Sequence, residues 1–233
     1  RAGLAIADFR EVIRRQPDNS GAYQNLAMVY TSLREYDEAL KVLNQGLGSA
    51  PDDVVLRVNQ GAVYHAMGKA EEAFGSYRRA IETAPEDPQT HRAMGFMAAE
   101  VDSFRIAQEA WEKVLDLDPD DLDVRGALAR VHLVQGRVDA ALEEYDRIVE
   151  MAPEAAPPRL MRGRIYHERG EAARAKSELK KCIDLAPDWS EPFKSLGMLY
   201  MAEQAVDSAL VYYRRALEAD STDANVYALL GFA

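Results

Sequence analysis

Several features that point to particular functions are scarce in this sequence of 233 residues. One cysteine, Cys182, leaves no intrachain disulfide and no multi-cysteine metal site. Lys and Arg number 28 against 39 Asp and Glu, and the net charge of −11 disfavours nucleic acid, whose affinity comes mainly from cations that neutralise phosphates. No apolar run approaches the roughly 18 residues of a membrane-spanning helix. We therefore predict neither nucleic-acid binding nor direct membrane insertion.

Known catalytic motifs are missing as well. The sequence has no G-x-S-x-G nucleophile elbow, no phosphate-binding loop, no dinucleotide fingerprint after a strand and no H-E-x-x-H zinc motif. Five aspartates between Asp116 and Asp123 suggest a calcium loop, but Asp121 and Ala127 stand where such a loop needs glycine and glutamate. We predict no catalytic residue, no cofactor and no metal site, and we expect Cys182 to be a packed, unreactive thiol.

What the sequence does contain is an internal period, which its prolines mark. Six of the ten prolines, here called the lattice prolines, recur at one constant interval without insertion: Pro17, Pro51, Pro85, Pro119, Pro153 and Pro187. Counted from each lattice proline, offset +22 always holds alanine and offset +10 always holds alanine or glycine. Apolar and small residues recur at three- and four-residue steps, which is the helical period. Midway, Gly68, Gly136 and Gly170 favour a tight turn. The pattern predicts two antiparallel helices per period.

The period, the helix pair and the residue types resemble the tetratricopeptide repeat (TPR), a family with a period of about 34 residues, over the whole chain. The segment that matches best contains Phe193, Leu196, Gly197, Tyr200, Ala209, Tyr213 and Ala216. The resemblance implies an all-α fold, a right-handed superhelical solenoid of antiparallel helix pairs. It also implies that the first helix of each pair lines a concave groove, which suits a peptide segment or a partner helix.

The repeat lattice predicts a single solenoid over residues 1–233. It consists of a partial repeat with the second helix only, six full repeats and a truncated repeat with the first helix only: 1–19, 20–53, 54–87, 88–121, 122–155, 156–189, 190–223 and 224–233. Acidic and polar residues after each lattice proline are expected to cap the next helix. Because solenoids normally finish with a polar capping helix, we expect either that the natural chain continues or that a partner covers the ends.

In this family the concave face is formed by first-helix positions at offsets +4, +7, +8, +11, +14 and +15 from the lattice proline. From these positions we predict a partner-binding set: Asn25, Met28, Asn59, Arg92, Phe96, Arg130, Leu133, Leu160, Met161, Arg164, His167, Lys194, Met198 and Met201. Seven apolar residues of the first helices are expected to be partly exposed, as interface residues are: Phe96, Leu133, Val134, Leu160, Met198, Met201 and Phe232. Leu160 and Met161 make repeat 156–189 the preferred anchor region, because Arg159 and Arg162 replace core residues there.

Four members of the set are cations at offsets +7 and +11, and no carboxylate occupies those positions in any repeat: Arg92, Arg130, Arg164 and Lys194. They favour a ligand that carries carboxylates. The alternative is internal pairing with acidic residues on the same face: Glu100, Asp123, Glu168 or Glu191. The sequence leaves both open.

Two more specific resemblances are partial. Asn25 and Asn59 resemble the asparagine ladder that holds peptide backbone in O-linked N-acetylglucosamine transferase, but the ladder ends after two rungs. Of the carboxylate clamp of chaperone-binding TPR proteins, only Asn59 matches. We therefore do not expect binding of chaperone C-terminal tails.

These observations predict a non-catalytic interaction scaffold that binds a protein segment with apolar and acidic residues. One alternative is a targeting or regulatory TPR domain of a larger enzyme, such as a glycosyltransferase, whose catalytic part lies outside these residues. Another is a scaffold that assembles into homo-oligomers through its open ends. For the compartment, the cytoplasm is favoured and the periplasm is retained as an alternative.

Overall fold

In the computed structural model, residues 2–232 are described, and they form fourteen α-helices without any β-strand. The outermost residues of the two predicted partial repeats, 1 and 233, lie outside this range. The helices are α1 (Ala2–Arg15), α2 (Ser20–Ser32), α3 (Tyr36–Ser49), α4 (Val54–Ala66), α5 (Ala70–Thr83), α6 (Pro88–Glu100), α7 (Phe104–Leu117), α8 (Leu122–Val134), α9 (Val138–Met151), α10 (Ala156–Glu168), α11 (Ala172–Leu185), α12 (Ser190–Ala202), α13 (Val206–Ala219) and α14 (Ala224–Phe232). Each predicted full repeat holds two of them, and the predicted all-α fold of helix pairs is confirmed.

The turn inside each pair is built on one backbone position with positive φ. Gly68, Gly136 and Gly170 adopt φ of 73°, 72° and 75° there, as the breaker pattern predicts. In the other full repeats the same position holds a residue with a side chain, still at positive φ: Arg34, Asp102 and Gln204. This left-handed residue ends the first helix and reverses the chain into the second.

Most first helices begin at a side-chain cap, as the acidic clusters predict. Asn19, Asp53, Asp87, Asp121 and Asp223 each accept a hydrogen bond from a backbone N–H two or three residues further on. These bonds satisfy donors that the first helical turn leaves unpaired. Helices α10 and α12 lack such a bond, because Ala155 and Trp189 stand at their N-caps.

A second device fixes the turn that joins one repeat to the next. In several repeats the side chain six residues after a lattice proline, or after Ser221 one period beyond Pro187, donates to the backbone carbonyl of that residue, for example Tyr23 Oη to Pro17 O at 3.1 Å. The same bond is made in other repeats by side chains of different types: Arg57 to Pro51, Arg159 to Pro153 and Tyr227 to Ser221, with the His91 ring nitrogen in contact with Pro85. The inter-repeat turn is thereby tied to the helix that follows it.

Within each pair, the small residue of the first helix lies against a large side chain of the second. A Cβ added to Gly61 would lie 2.9 Å from the Tyr77 ring, and one added to Gly163 would lie 2.8 Å from Leu179. Glycine at offset +10 therefore marks a close contact between the two helices of a pair. Trp111 and Tyr213 pack on Gly95 and Gly197 in the same way.

The described residues form two compact units, one up to Val124 and one from Arg125. In the first unit α2 contacts α4 and α4 contacts α6, and in the second unit α10 contacts α12. In the first unit α2, α4 and α6 are therefore successive neighbours, and in the second unit α10 and α12 are. The core of the second unit includes Leu179, Phe193 and the fully buried Cys182. Burial raises the pKa of the Cys182 thiol to about 11, and the thiol donates to the Ala156 carbonyl at 3.2 Å, so it is packed as predicted.

In the second unit, arginines occupy positions that hold core residues in other repeats, and carboxylates of neighbouring helices form ion pairs with them. Arg159 contacts Glu178 at 3.3 Å, and both side chains are almost fully buried. Arg162 lies 3.0 Å from Asp146 and 3.6 Å from the same Glu178. One repeat earlier, Arg125 and Glu144 form the equivalent pair at 2.7 Å.

Candidate functional site

The first helices α10, α12 and α14 of the second unit surround an open cavity of about 290 Å³. Leu179 reaches it from α11 past Gly163, and Leu229 of α14 adds a further apolar wall. A ring fills the position of Leu179 in most other repeats, so the smaller leucine leaves space. Four residues of the predicted set line this cavity: Arg164, His167, Lys194 and Met198.

Both cations of this cavity are held by carboxylates of the chain. Arg164 forms an ion pair with Glu191, and its Nε donates to Ser195 Oγ at 3.3 Å. Lys194 forms ion pairs with Glu191 and, at 2.6 Å, with Asp223, the N-cap of α14. Internal pairing, one of the two alternatives that the sequence left open, is therefore what the structure shows here.

The protonation equilibria agree with this pairing. Burial acts to lower the pKa of Lys194, but the hydrogen bonds to Asp223 and Glu191 outweigh burial and raise that pKa above its ordinary value. Lys194 in turn holds the pKa of Asp223 below its ordinary value. Only 12% of the Lys194 side chain and 10% of the Asp223 side chain are exposed. A ligand in this cavity therefore contacts apolar side chains at the floor, and at the rim it contacts cations whose charge is neutralised by carboxylates of the chain.

The expectation that Leu160 is partly exposed in the groove is wrong. Its exposed fraction is 3%, and it packs in the core with Leu179 and Cys182. Lys194, in the same position one repeat later, is also largely buried. This position lies at the border between the first-helix face and the contact with the next helix, so an apolar side chain there turns inward. Met161 is half-buried.

The first unit gathers a different group. Arg92 forms ion pairs with Asp121 and, at 2.9 Å, with Asp123, and its guanidinium lies 5.5 Å from the centre of the Phe96 ring. Phe96 contacts Trp111 edge to face at 5.2 Å. Burial acts to lower the pKa of Arg92, and the two aspartates raise it overall.

A second cavity, of about 350 Å³, lies between α2 and α4 and is lined by the predicted residues Met28 and Asn59 among small side chains. Asn25 is exposed and lies outside this cavity. In the second unit Met201 is half-buried against the core. Arg130 and Leu133 of α8 line neither cavity, and Arg130 is exposed.

Sequence reasoning missed three of the residues that line the cavity between α10, α12 and α14. Leu179 belongs to a second helix, and Leu229 and Asn225 belong to α14. A signal was present, because a leucine opposite a glycine fills less space than the ring found there in most repeats. In residues 2–232 no group of three or more His, Cys, Asp or Glu side chains could hold a metal ion. None of the helices described is long and apolar enough to cross a membrane.

Tetratricopeptide repeat family models match residues 1–57, 32–88, 98–156, 156–188 and 195–223. The chain belongs to the tetratricopeptide repeat family. TPR proteins bind protein or peptide partners, so this chain is of the interaction-scaffold class. No protein with a curated description matches the sequence.

Solved TPR structures share the fold at low sequence identity. The C-terminal part of a TPR repeat-containing protein from Cytophaga hutchinsonii is 18% identical over 97% of this chain and 93% of its own, with a TM-score of 0.81. The pilF protein of Pseudomonas aeruginosa is 14% identical over 91% and 97%, with a TM-score of 0.68. YrrB, described as a TPR protein with an unusual peptide-binding site, is 20% identical over 84% and 97%, with a TM-score of 0.63.

Proposed function

We propose that this TPR protein is a non-catalytic scaffold that binds a segment of a partner protein on the first-helix face of its second unit. The observation that carries the proposal is the cavity between α10, α12 and α14, at which Arg164, His167, Lys194 and Met198 meet. The description of YrrB as a TPR protein with a peptide-binding site agrees with a segment as the ligand.

The size and lining of the cavity favour an apolar side chain as the group that enters it. Its volume of about 290 Å³ lies just under the usual range for small-molecule sites, about 300–1,000 Å³. Leu179 and Leu229 supply apolar contacts, and Met198, whose exposed fraction is 48%, can adjust its shape at the rim. The rim cations already have carboxylate partners, so they act here as hydrogen-bonding groups for peptide backbone.

Site-specific photo-crosslinking tests this assignment. The photoreactive residue p-benzoylphenylalanine replaces Met198 in one variant and Val211 in the other, and each is irradiated in extract of the source cells. Val211 is a matched control, because it is 54% exposed and lies on the second helix of the same repeat. We expect a discrete crosslinked species from the Met198 variant that excess wild-type protein competes away. The same products from both positions, or none from Met198, contradict the proposal.

A further inference from the structure

Arg130 differs in its ion pairing from the other three cations of the predicted partner-binding set. Arg92, Arg164 and Lys194 each form an ion pair with at least one carboxylate of the chain. In the part of the second unit that the structure describes, no carboxylate lies within ion-pair distance of Arg130, which is exposed. A guanidinium that is free to bind a carboxylate through two parallel hydrogen bonds is a selective site for that group.

The surroundings of Arg130 fit this role. A Cβ added to Gly126 would lie 3.8 Å from Arg130 Nη1, so the guanidinium folds back one turn over a residue without a side chain. The nearby Tyr145 is 3% exposed, and its hydroxyl has no hydrogen-bond partner among the described residues. Burial raises the pKa of Tyr145, and the charge of Arg130 opposes that rise.

The repeat lattice relates Arg130 to the cavity. Arg130, Arg164 and Met198 occupy the same position in three consecutive repeats, at offset +11 from Pro119, Pro153 and Pro187 respectively. Neighbouring packed helices lie about 8–10 Å apart, and an extended chain advances at most about 3.3–3.6 Å per residue. A bound segment that runs across these first helices therefore needs about three to five residues between Arg130 and the cavity.

Resting on the proposed function, we propose a two-point ligand: an extended protein segment with a carboxylate side chain at Arg130 and a bulky apolar side chain in the cavity between α10, α12 and α14. The charge complementarity is local, since the rim of the cavity is neutralised internally. The preference of this protein for an acidic partner segment thus depends on Arg130 alone.

A random dodecapeptide library displayed on phage tests this ligand chemistry with three baits: the wild type, Arg130→Glu and Arg147→Glu. Arg147, on the second helix α9, is exposed and gives the same charge change. We expect the wild type and the Arg147 variant to enrich peptides with Asp or Glu three to five residues from Leu, Ile, Met or Phe. The Arg130 variant should enrich Lys or Arg at the acidic position.

Fluorescence anisotropy of the most enriched peptide then measures affinity. We expect Arg130→Glu to weaken binding at least tenfold and a peptide with lysine in place of the acid to regain it. An enriched motif without an acid, equal affinity for both baits, or no enrichment with any bait overturns the two-point ligand. Those results leave the proposed function standing if the Met198 crosslink forms, whereas absence of that crosslink contradicts the proposed function itself.

Discussion

At the scale of single residues, the turn inside each helix pair shows the clearest conflict between residue type and backbone. The same position is left-handed in all six full repeats, but only three of them place glycine there. A residue with a Cβ is crowded against the following carbonyl in this region, at a cost of about 1–2 kcal/mol. Asp tolerates the conformation better than Arg or Gln does. The strain is therefore greatest at Arg34 and Gln204.

Glycine at these positions should stabilise the protein. We expect Arg34→Gly and Gln204→Gly each to raise the free energy of unfolding by about 1 kcal/mol, since relief of the left-handed strain exceeds the extra unfolded-state entropy of glycine. Gly136→Ala, at the same position three repeats after Arg34, should lower it by about 1 kcal/mol. Urea unfolding followed by circular dichroism measures all three. A loss of stability in Arg34→Gly would show that its side-chain contacts outweigh the strain.

Individual residues also show what the sequence could and could not predict. The lattice determines the helix pairs, the caps and the small contact positions, because these depend on residue type at a fixed offset. Leu160 was misplaced, because an offset gives the direction of a side chain and not its depth between neighbouring helices. The bond to the lattice carbonyl was missed, because Tyr23, Arg57 and His91 share a donor group and not a residue type. The pairing of Arg164 and Lys194 needed distances to choose between the two alternatives.

At the scale of the helix, the start of α10 lacks what most other first helices have. Ala155 occupies its N-cap in an extended conformation, with φ of −77° and ψ of 116°, and gives no side-chain acceptor. Asp53 and Asp87 have similar backbone angles and do accept. Pro157 and Pro158 stand two and three residues after this N-cap, so α10 has no backbone N–H at the two positions that a capping side chain binds.

A carboxylate introduced at this position should stabilise the helix through its dipole alone. We expect Ala155→Asp to raise the free energy of unfolding by about 0.3–1 kcal/mol at low ionic strength, because the new carboxylate complements the helix dipole, and added salt should reduce this gain. Ala155→Leu adds a side chain without an acceptor and should give no gain. Thermal unfolding of both variants, compared with the wild type, measures the difference. Equal melting temperatures for the two variants at low ionic strength would contradict this dipole effect.

Loss of the buried ion pair between α10 and α11 should destabilise the protein. Glu178→Ala leaves Arg159 buried without its carboxylate, and we expect a loss of about 3–5 kcal/mol. The double variant Arg159→Tyr with Glu178→Val reproduces the combination that repeat 20–53 has in Tyr23 and Val42. We expect the double variant to regain most of the loss in urea unfolding. If it is no more stable than Glu178→Ala, the buried arginine is not the source of the instability.

At the scale of the whole molecule, the stability of a repeat array depends on the contacts between neighbouring repeats. Helix α14 follows the last full repeat and packs on α13. Its N-cap Asp223 also forms an ion pair with Lys194 of α12. This ion pair connects α14 to a helix that lines the cavity between α10, α12 and α14. The attachment of α14, and with it one wall of the cavity, therefore depends on a titratable group.

Acid should weaken this attachment. The pKa of Asp223 is lowered in the folded state, so its contribution is complete above the ordinary value of 3.8 and is lost as the pH falls through the lowered value. We expect Asp223→Asn, which retains a capping side chain, to melt below the wild type at pH 7. That difference should shrink as the pH falls below 3.8. Asp220→Asn in the same turn is the control, and a difference that stays constant down to pH 2 would contradict the linkage.

The internal pairing of the groove cations also determines how a partner arrives. Arg164 and Lys194 are neutralised, and the protein has a net charge of −11. An approaching acidic chain is therefore repelled, over a distance of about 8 Å at physiological ionic strength. Long-range steering therefore works against capture, and recognition happens on contact at Arg130. Added salt should quicken association by screening the repulsion, whereas in a strongly cationic groove it slows association. Because salt also screens the contact between the exposed Arg130 and its carboxylate, it should quicken dissociation as well as association.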